Sequence, residues 1–92
     1  MKTYLIGYDL NKTGQDYETL IEKIKEASNG FWWHHLDSTW IIQSNSTTIQ
    51  IRDFLLPYID NNDELLVILL TGEAAWYGFS ERGSKWLIDN LI

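Results

Sequence analysis

Residues 31–40 read FWWHHLDSTW and hold much of what this chain could use for chemistry: two adjacent imidazoles, a carboxylate, two hydroxyls and three indoles. A shared metal ion would need His34 and His35 to converge, yet neighbouring residues on a strand point to opposite faces. With no cysteine and no His-x-x-x-His pair in the chain, the spacing argues against a metal centre here. A triad of Ser38, His35 and Asp37 fails similarly, because nucleophile, base and orienting acid must meet in space and closeness in sequence does not bring that about. The same residues suit recognition better. Indole and imidazole planes stack on a nucleobase, while histidine, serine and threonine bond phosphate or ribose oxygens. Trp32, Trp33, His34, His35, Ser38 and Trp40 are therefore candidate ligand-binding residues. The competing reading packs one face of the stretch under helices and the other into a dimer core.

Further candidates lie outside that stretch. Tyr8 and Asp9 end an apolar run, and Lys12 follows in the next loop, a candidate for an anionic ligand whose plainer role is a solvated surface charge. Asp9 could serve as a hard oxygen ligand for Mg²⁺, or close an Asx-type turn before Asn11. Trp76 and Tyr77 sit between Gly72 and Gly78, so a short lid could hinge at both ends; core closure or an added edge strand is the plainer role. Arg52, Arg82 and Lys85 read as solvated surface charges. The six glycines form no Gly-x-Gly-x-x-Gly or Walker pattern, so no ATPase or dinucleotide fold is indicated.

Thirteen acidic against seven basic residues give a formal charge of −6, which opposes the long-range attraction needed to hold extended nucleic acid. A small phosphate-bearing ligand is less affected, since one or two local donors outweigh distant charge once water is excluded. The 92 residues suffice for one domain with a modest core, which self-association would help to complete. The opening MKTYLIGYDLN is too short an apolar run for a signal peptide, and no run approaches a membrane span. A cytoplasmic protein without membrane attachment is the expectation.

These side chains need elements to position them. TYLIGYD at 3–9 reads as a central strand with Tyr4, Ile6 and Tyr8 on one face and Leu5 on the other. From Gln15 to Ala27 the apolar residues follow helical spacing, and Asn29-Gly30 ends the helix. Strands are expected over 31–36 and 39–44, with Asp37-Ser38 as the turn between them. On the first of these, Trp33 and His35 share a side with Phe31, and Trp32, His34 and Leu36 share the other. Ser46 could cap a second helix that Pro57 closes. ELLVILLT at 64–71 is apolar on both faces, as a covered strand would be. An irregular tail and a last helix from Ser80 follow.

The order β-α-β-β-α-β plus a tail predicts a single α+β domain over 1–92, a ferredoxin-like sandwich with its core at 3–71 and an extension at 72–92. Two helices on one sheet face leave the other open, to be buried by the tail or by a second subunit; a homodimer through the sheet face is expected.

Tyr8-Asp9-Leu10, Ser38-Thr39-Trp40 and Ile59-Asp60 with Asp63 resemble motifs of the small ferredoxin-like CRISPR-associated spacer-acquisition nuclease or scaffold family and, more distantly, of VapD-type ribonucleases. The likeness covers roughly residues 3–70. With YDLN, WWHHLDSTW and GEAAW stretches the chain also looks like the short SinR-like proteins of bacteria and phages. The resemblance implies a dimer in which paired Asp9 carboxylates hold Mg²⁺ for phosphodiester hydrolysis, that is, an endonuclease or endoribonuclease. The basic helix surfaces that the CRISPR-associated family uses for duplex binding are missing, helix one being YETLIEKIKEA. The function expected first is accordingly non-catalytic and cofactor-free: capture or sequestration of a nucleotide-type ligand, with cyclic nucleotide signals among the candidates, in an aromatic pocket near an oligomer interface. Mg²⁺-dependent cleavage through Asp9 and a purely structural or regulatory dimer are the alternatives.

Overall fold

The computed structural model describes residues 1–11 and 17–91. The elements run β1 (Lys2–Asp9), α1 (Glu18–Ala27), β2 (Trp32–Leu36), β3 (Thr39–Ser44), α2 (Thr48–Leu55), β4 (Glu64–Leu69) and α3 (Glu81–Asn90), with a 3-10 turn at Leu56–Tyr58 that contains Pro57. The strands form one antiparallel sheet in the order β2-β3-β1-β4. This is a small α+β domain. No helix among the described residues is long and apolar enough to cross a membrane.

Strand alternation decides the layers. Tyr4 and Ile6 of β1 lie beside Ile42 and Trp40 of β3 on one face, and all four are buried against Leu20 and Ile24 of α1 and Ile51 and Leu55 of α2. The helices carry their apolar residues at the three-and-four spacing that turns one stripe to the sheet. α1 stops where Asn29 and Gly30 adopt left-handed backbone (φ 51° and 88°), which an asparagine-glycine pair accepts at little cost. α2 is capped by Thr47, one residue after the expected Ser46: Thr47 Oγ1 accepts from Gln50 N–H at 3.1 Å and Gln50 Oε1 accepts from Thr47 N–H at 2.9 Å. Ser46 serves otherwise, its carbonyl accepting from the Tyr4 hydroxyl.

Between the two helices, Lys23 Nζ lies 5.4 Å from the centre of the Tyr58 ring and 5.9 Å from that of Phe54. Its hydrogen bond to the Glu26 carboxylate, 3.0 Å away, holds the ammonium above its ordinary pKa. A raised lysine pKa contributes throughout neutral pH and is lost only as pH climbs through the alkaline lysine range.

The opposite face is built from Leu5, Ile41 and Trp33, and the chain's own C-terminal segment covers part of it. Trp33 and Ile41 are buried with Leu87 of α3, and Trp76, Phe79, Trp86 and Leu91 pack around them. The far end of α3 is tied down as Thr3 Oγ1 donates to the Asn90 carbonyl at 2.9 Å. Coverage stops short of β4, where Leu66 and Ile68 remain 55% and 42% exposed. The apolar face expected to need a second subunit is thus divided: α3 and the tail take the β2–β3 half and leave the β4 side open.

Several boundaries differ from expectation. β4 ends at Leu69 rather than 71, β2 begins at Trp32 rather than 31, and α1 is described from Glu18; Gln15 lies outside the described residues. Leu36 changes face. β2 shifts register against β3 between Trp33 and Leu36, so that Leu36 pairs with Thr39 and joins the Trp33–Ile41 side. A bulge inserts one residue and breaks strict alternation beyond it.

Asp63 closes the loops at one end of the sheet. Its carboxylate accepts from the Tyr17 hydroxyl at 2.9 Å, from Asn11 N–H at 2.8 Å and from Asp60 N–H at 2.7 Å. Hydrogen bonds to a charged group contribute about 1.5–3 kcal/mol. Asp63→Ala is expected to lower stability by about 2 kcal/mol, seen in urea unfolding monitored by circular dichroism; an unchanged midpoint would contradict the assignment.

Candidate functional site

Adjacent residues of β2 build two separate environments. Trp32 and His34 turn toward the helix-covered face and meet Trp40. The His34 ring stacks on Trp40 with centroids 3.8 Å apart and planes 12° from parallel, and Trp32 lies 5.1 Å away at 56°. Lys25 Nζ sits 5.0 Å from the centre of the Trp32 ring, an arrangement that attracts a cation to the π face. Trp40 itself is 1% exposed and donates its indole N–H to Tyr8 Oη at 3.0 Å. Tyr8 donates in turn to the Asp37 carbonyl at 3.4 Å, and His34 Nε2 lies 3.1 Å from the same oxygen. A carbonyl can only accept, so His34 carries a proton on Nε2 in this contact.

Trp33 and His35 turn the other way. The Trp33 indole is buried, donates to the Gly83 carbonyl at 3.1 Å and meets Phe79 edge-on at 4.9 Å. His35 packs beside it at 5.0 Å. α3 can come this close because position 83 has no side chain: a Cβ there would lie 3.1–3.3 Å from the His35 ring. Ser80 caps the helix just before this contact, its Oγ accepting from Gly83 N–H at 3.1 Å.

At the outer edge of β2 these environments meet in a cleft of about 300 Å³ lined by Trp32, Trp33, His34, His35, Arg82 and Trp86. Arg82 and Trp86 are four residues apart on α3 and so share a helix face. Arg82 is exposed and joins none of the ion pairs formed among the described residues. The Phe31 carbonyl accepts from Gln43 N–H of β3, and the ladder phase then turns the N–H and C=O of Trp32 outward. The cleft therefore offers aromatic surface, a guanidinium and free backbone groups along one edge.

The other expected site residues are spread more widely. Trp76 donates to Ser84 Oγ at 3.2 Å and packs under the sheet with Phe79. Tyr77 is 97% exposed. Both line a second, apolar groove of about 280 Å³ over Ile41 and Leu36, separate from the Trp32–Arg82 cleft. Gly72 and Gly78 have left-handed backbone (φ 99° and 90°), so glycine is needed at both ends of this segment. Ser38 lies in the β2–β3 turn, its carbonyl accepting from Tyr8 N–H at 3.1 Å. Asp9 is exposed at the end of β1, paired in register with Glu64. No group of three or more histidine or acidic residues among the described ones is arranged to hold a metal ion. Lys12 lies outside the described residues.

Arg82 and Trp86 line the cleft but are not among the ligand-binding residues expected from the sequence. Their four-residue spacing was visible. What it faced was not, because nothing local says that α3 lies against β2.

No family model matches the chain, and no solved structure matches it at a significant level.

The two neighbouring tryptophans carry unequal loads. Removing the buried Trp33 ring (Trp33→Ala) should cost about 3–5 kcal/mol, the range for a large aromatic deleted from a core. Trp32→Ala, at a position 37% exposed, should cost less than about 2 kcal/mol. Equal losses in chemical denaturation would contradict the assignment of the two rings to opposite sides of the sheet.

Proposed function

We propose that this chain is a ferredoxin-like binding protein that captures a small nucleotide-type ligand in the cleft at the β2 edge. The observation that carries the reading is the union, in one cleft, of Trp32 and Trp86 with the guanidinium of Arg82, which joins no ion pair among the described residues. Arginine bonds phosphate oxygens in a bidentate manner, and indole surfaces stack on bases of any sequence. The outward N–H and C=O of Trp32 add a donor and an acceptor for a base or ribose edge. A volume near 300 Å³ is at the small end of ligand sites, which suits a mononucleotide or cyclic nucleotide and not a polymer. The acidic balance of the chain fits the same choice.

In this reading Trp40 does not touch the ligand, and Trp33, 3% exposed, offers it little surface. They hold the two walls, Trp40 by supporting His34 and Trp32, Trp33 by supporting α3. Capture without turnover is favoured because His34 and His35 point to different sides of β2 and the described residues that line the cleft include no nucleophile with an adjacent base. The Asp9-dependent Mg²⁺ hydrolase implied by resemblance draws on a different part of the molecule, the exposed end of β1.

A thermal-shift series with mono- and cyclic nucleotides tests this directly. A ligand at a hundred times its Kd stabilises the native state by about 2.7 kcal/mol, which raises the Tm of a domain this size by roughly 14 °C. Arg82→Ala should abolish the rise while leaving the unliganded Tm within about 2 °C, since an exposed side chain in no ion pair among the described residues contributes little to stability. If no nucleotide moves the Tm, the capture role fails. Mg²⁺- or Mn²⁺-dependent cleavage of RNA or DNA that Asp9→Ala abolishes, without unfolding the protein, would replace it by the hydrolase.

A further inference from the structure

The sheet has two edges of different character. β2, at one edge, is interrupted by its bulge and has α3 packed beside it, and both features blunt an edge against pairing. β4, at the other, runs ELLVIL with no proline, glycine or lysine and no register shift against β1. Its phase is fixed by Leu70 N–H donating to the Thr3 carbonyl at 2.9 Å, with Ile68 opposite Leu5 and Leu66 opposite Gly7 in the same register. Even-numbered positions of β4 therefore turn their backbone groups inward to β1. The N–H and C=O of Leu65, Val67 and Leu69 face outward.

We propose that this edge pairs with the same edge of a second copy of the chain, β4 antiparallel to β4 about a two-fold axis at Val67, making one continuous sheet across two protomers. In that register Val67 lies opposite the partner's Val67 and Leu65 opposite the partner's Leu69, so every outward backbone group of the strand finds an acceptor or donor. Centring on Leu66 instead would set Leu69 against the partner's Asp63, which is already held by Tyr17, Asn11 and Asp60.

The side chains complement each other on both faces. Leu69 is 44% exposed although its neighbour Tyr4 in the ladder belongs to the core. Beside Leu65, a groove of about 210 Å³ lies open between α2 and β4, lined by Thr48, Ile49, Arg52, Leu65, Leu66 and Val67. The two-fold register delivers the partner's Leu69 to this groove and shields Ile49, which is 60% exposed. On the opposite face the exposed Leu66 and Ile68 meet the partner's Ile68 and Leu66, apolar pairs of the kind that stabilise adjoining strands. Glu64 falls opposite the partner's Leu70, so the ladder brings no like charges together. A second copy supplies all of this; a different partner would have to match the knob and the groove independently.

Sedimentation of the full chain at micromolar concentration should give twice the protomer mass. Leu66→Lys with Ile68→Lys sets lysine against lysine across the axis and should give the single protomer mass. Leu66→Glu with Ile68→Lys sets glutamate against lysine and should restore the doubled mass. All of these positions are exposed, and circular dichroism should show each variant folded. Hydrogen exchange of the unaltered protein supplies the measurement that needs no variant: the Leu65, Val67 and Leu69 amides should exchange at least tenfold more slowly at high than at low protein concentration. A lone protomer at micromolar concentration, a dimer that survives the double lysine change, or outward amides whose exchange ignores concentration would each overturn the proposal.

Discussion

The second layer of this molecule depends on one buried contact, the Trp33 indole against the start of α3. An indole N–H with no partner inside a protein costs far more than the bond itself returns. Trp33 resolves this by donating to the Gly83 carbonyl, and that bond is possible only where the helix backbone comes within reach. Glycine at 83 provides the approach, and Ser80 starts the helix at the right point. Leu87, a turn further on, then buries against Ile41 and Trp33. Without this contact Arg82 and Trp86 would have no fixed position relative to β2, and the cleft would have one wall.

The same docking determines what is left over. Because α3 takes much of the β2–β3 half of the sheet, Leu66 and Ile68 of β4 are left exposed, and the cleft and the free edge end up on opposite sides of the domain. A dimer built through β4 would leave both clefts open to solvent. It would also keep the two Asp9 carboxylates apart. Asp9 pairs with Glu64, which falls opposite the partner's Leu70, and the rise from Glu64 to Leu70 is about 20 Å at ~3.3 Å per residue. A metal site shared between two Asp9 residues would require a different assembly. Nucleotide capture and β4 pairing are therefore compatible with each other, whereas β4 pairing and a paired-Asp9 hydrolase are not.

Much of the fold could be read from local pattern, because the relevant forces are local in sequence. Alternation in TYLIGYD, the apolar spacing of Leu20, Ile24, Ile51 and Leu55, and the Asn29-Gly30 stop each declare an element within a few residues. The division of Trp32 and Trp33 between faces followed from strand geometry alone. What stayed hidden depends on register or on distant contact. The bulge that turns Leu36 over leaves no mark in HHLDST that separates it from a regular strand. The helix at 81–90 was recognisable from Ser80 and its apolar residues, yet the face it would cover was not, since the choice between the tail and a second subunit rests on packing across more than 40 residues. That Arg82 lines a cleft against β2 was hidden for the same reason.

Trp33 holds α3 to the sheet, and nuclear magnetic resonance of the indole proton reports on that contact most directly. If the contact exists in solution, the Trp33 Nε1 proton will show nuclear Overhauser effects to Gly83 and Leu87 and will exchange with solvent orders of magnitude more slowly than an exposed indole. A Trp33 indole proton that exchanges freely and shows no proximity to α3 would contradict it, and the cleft would go with it.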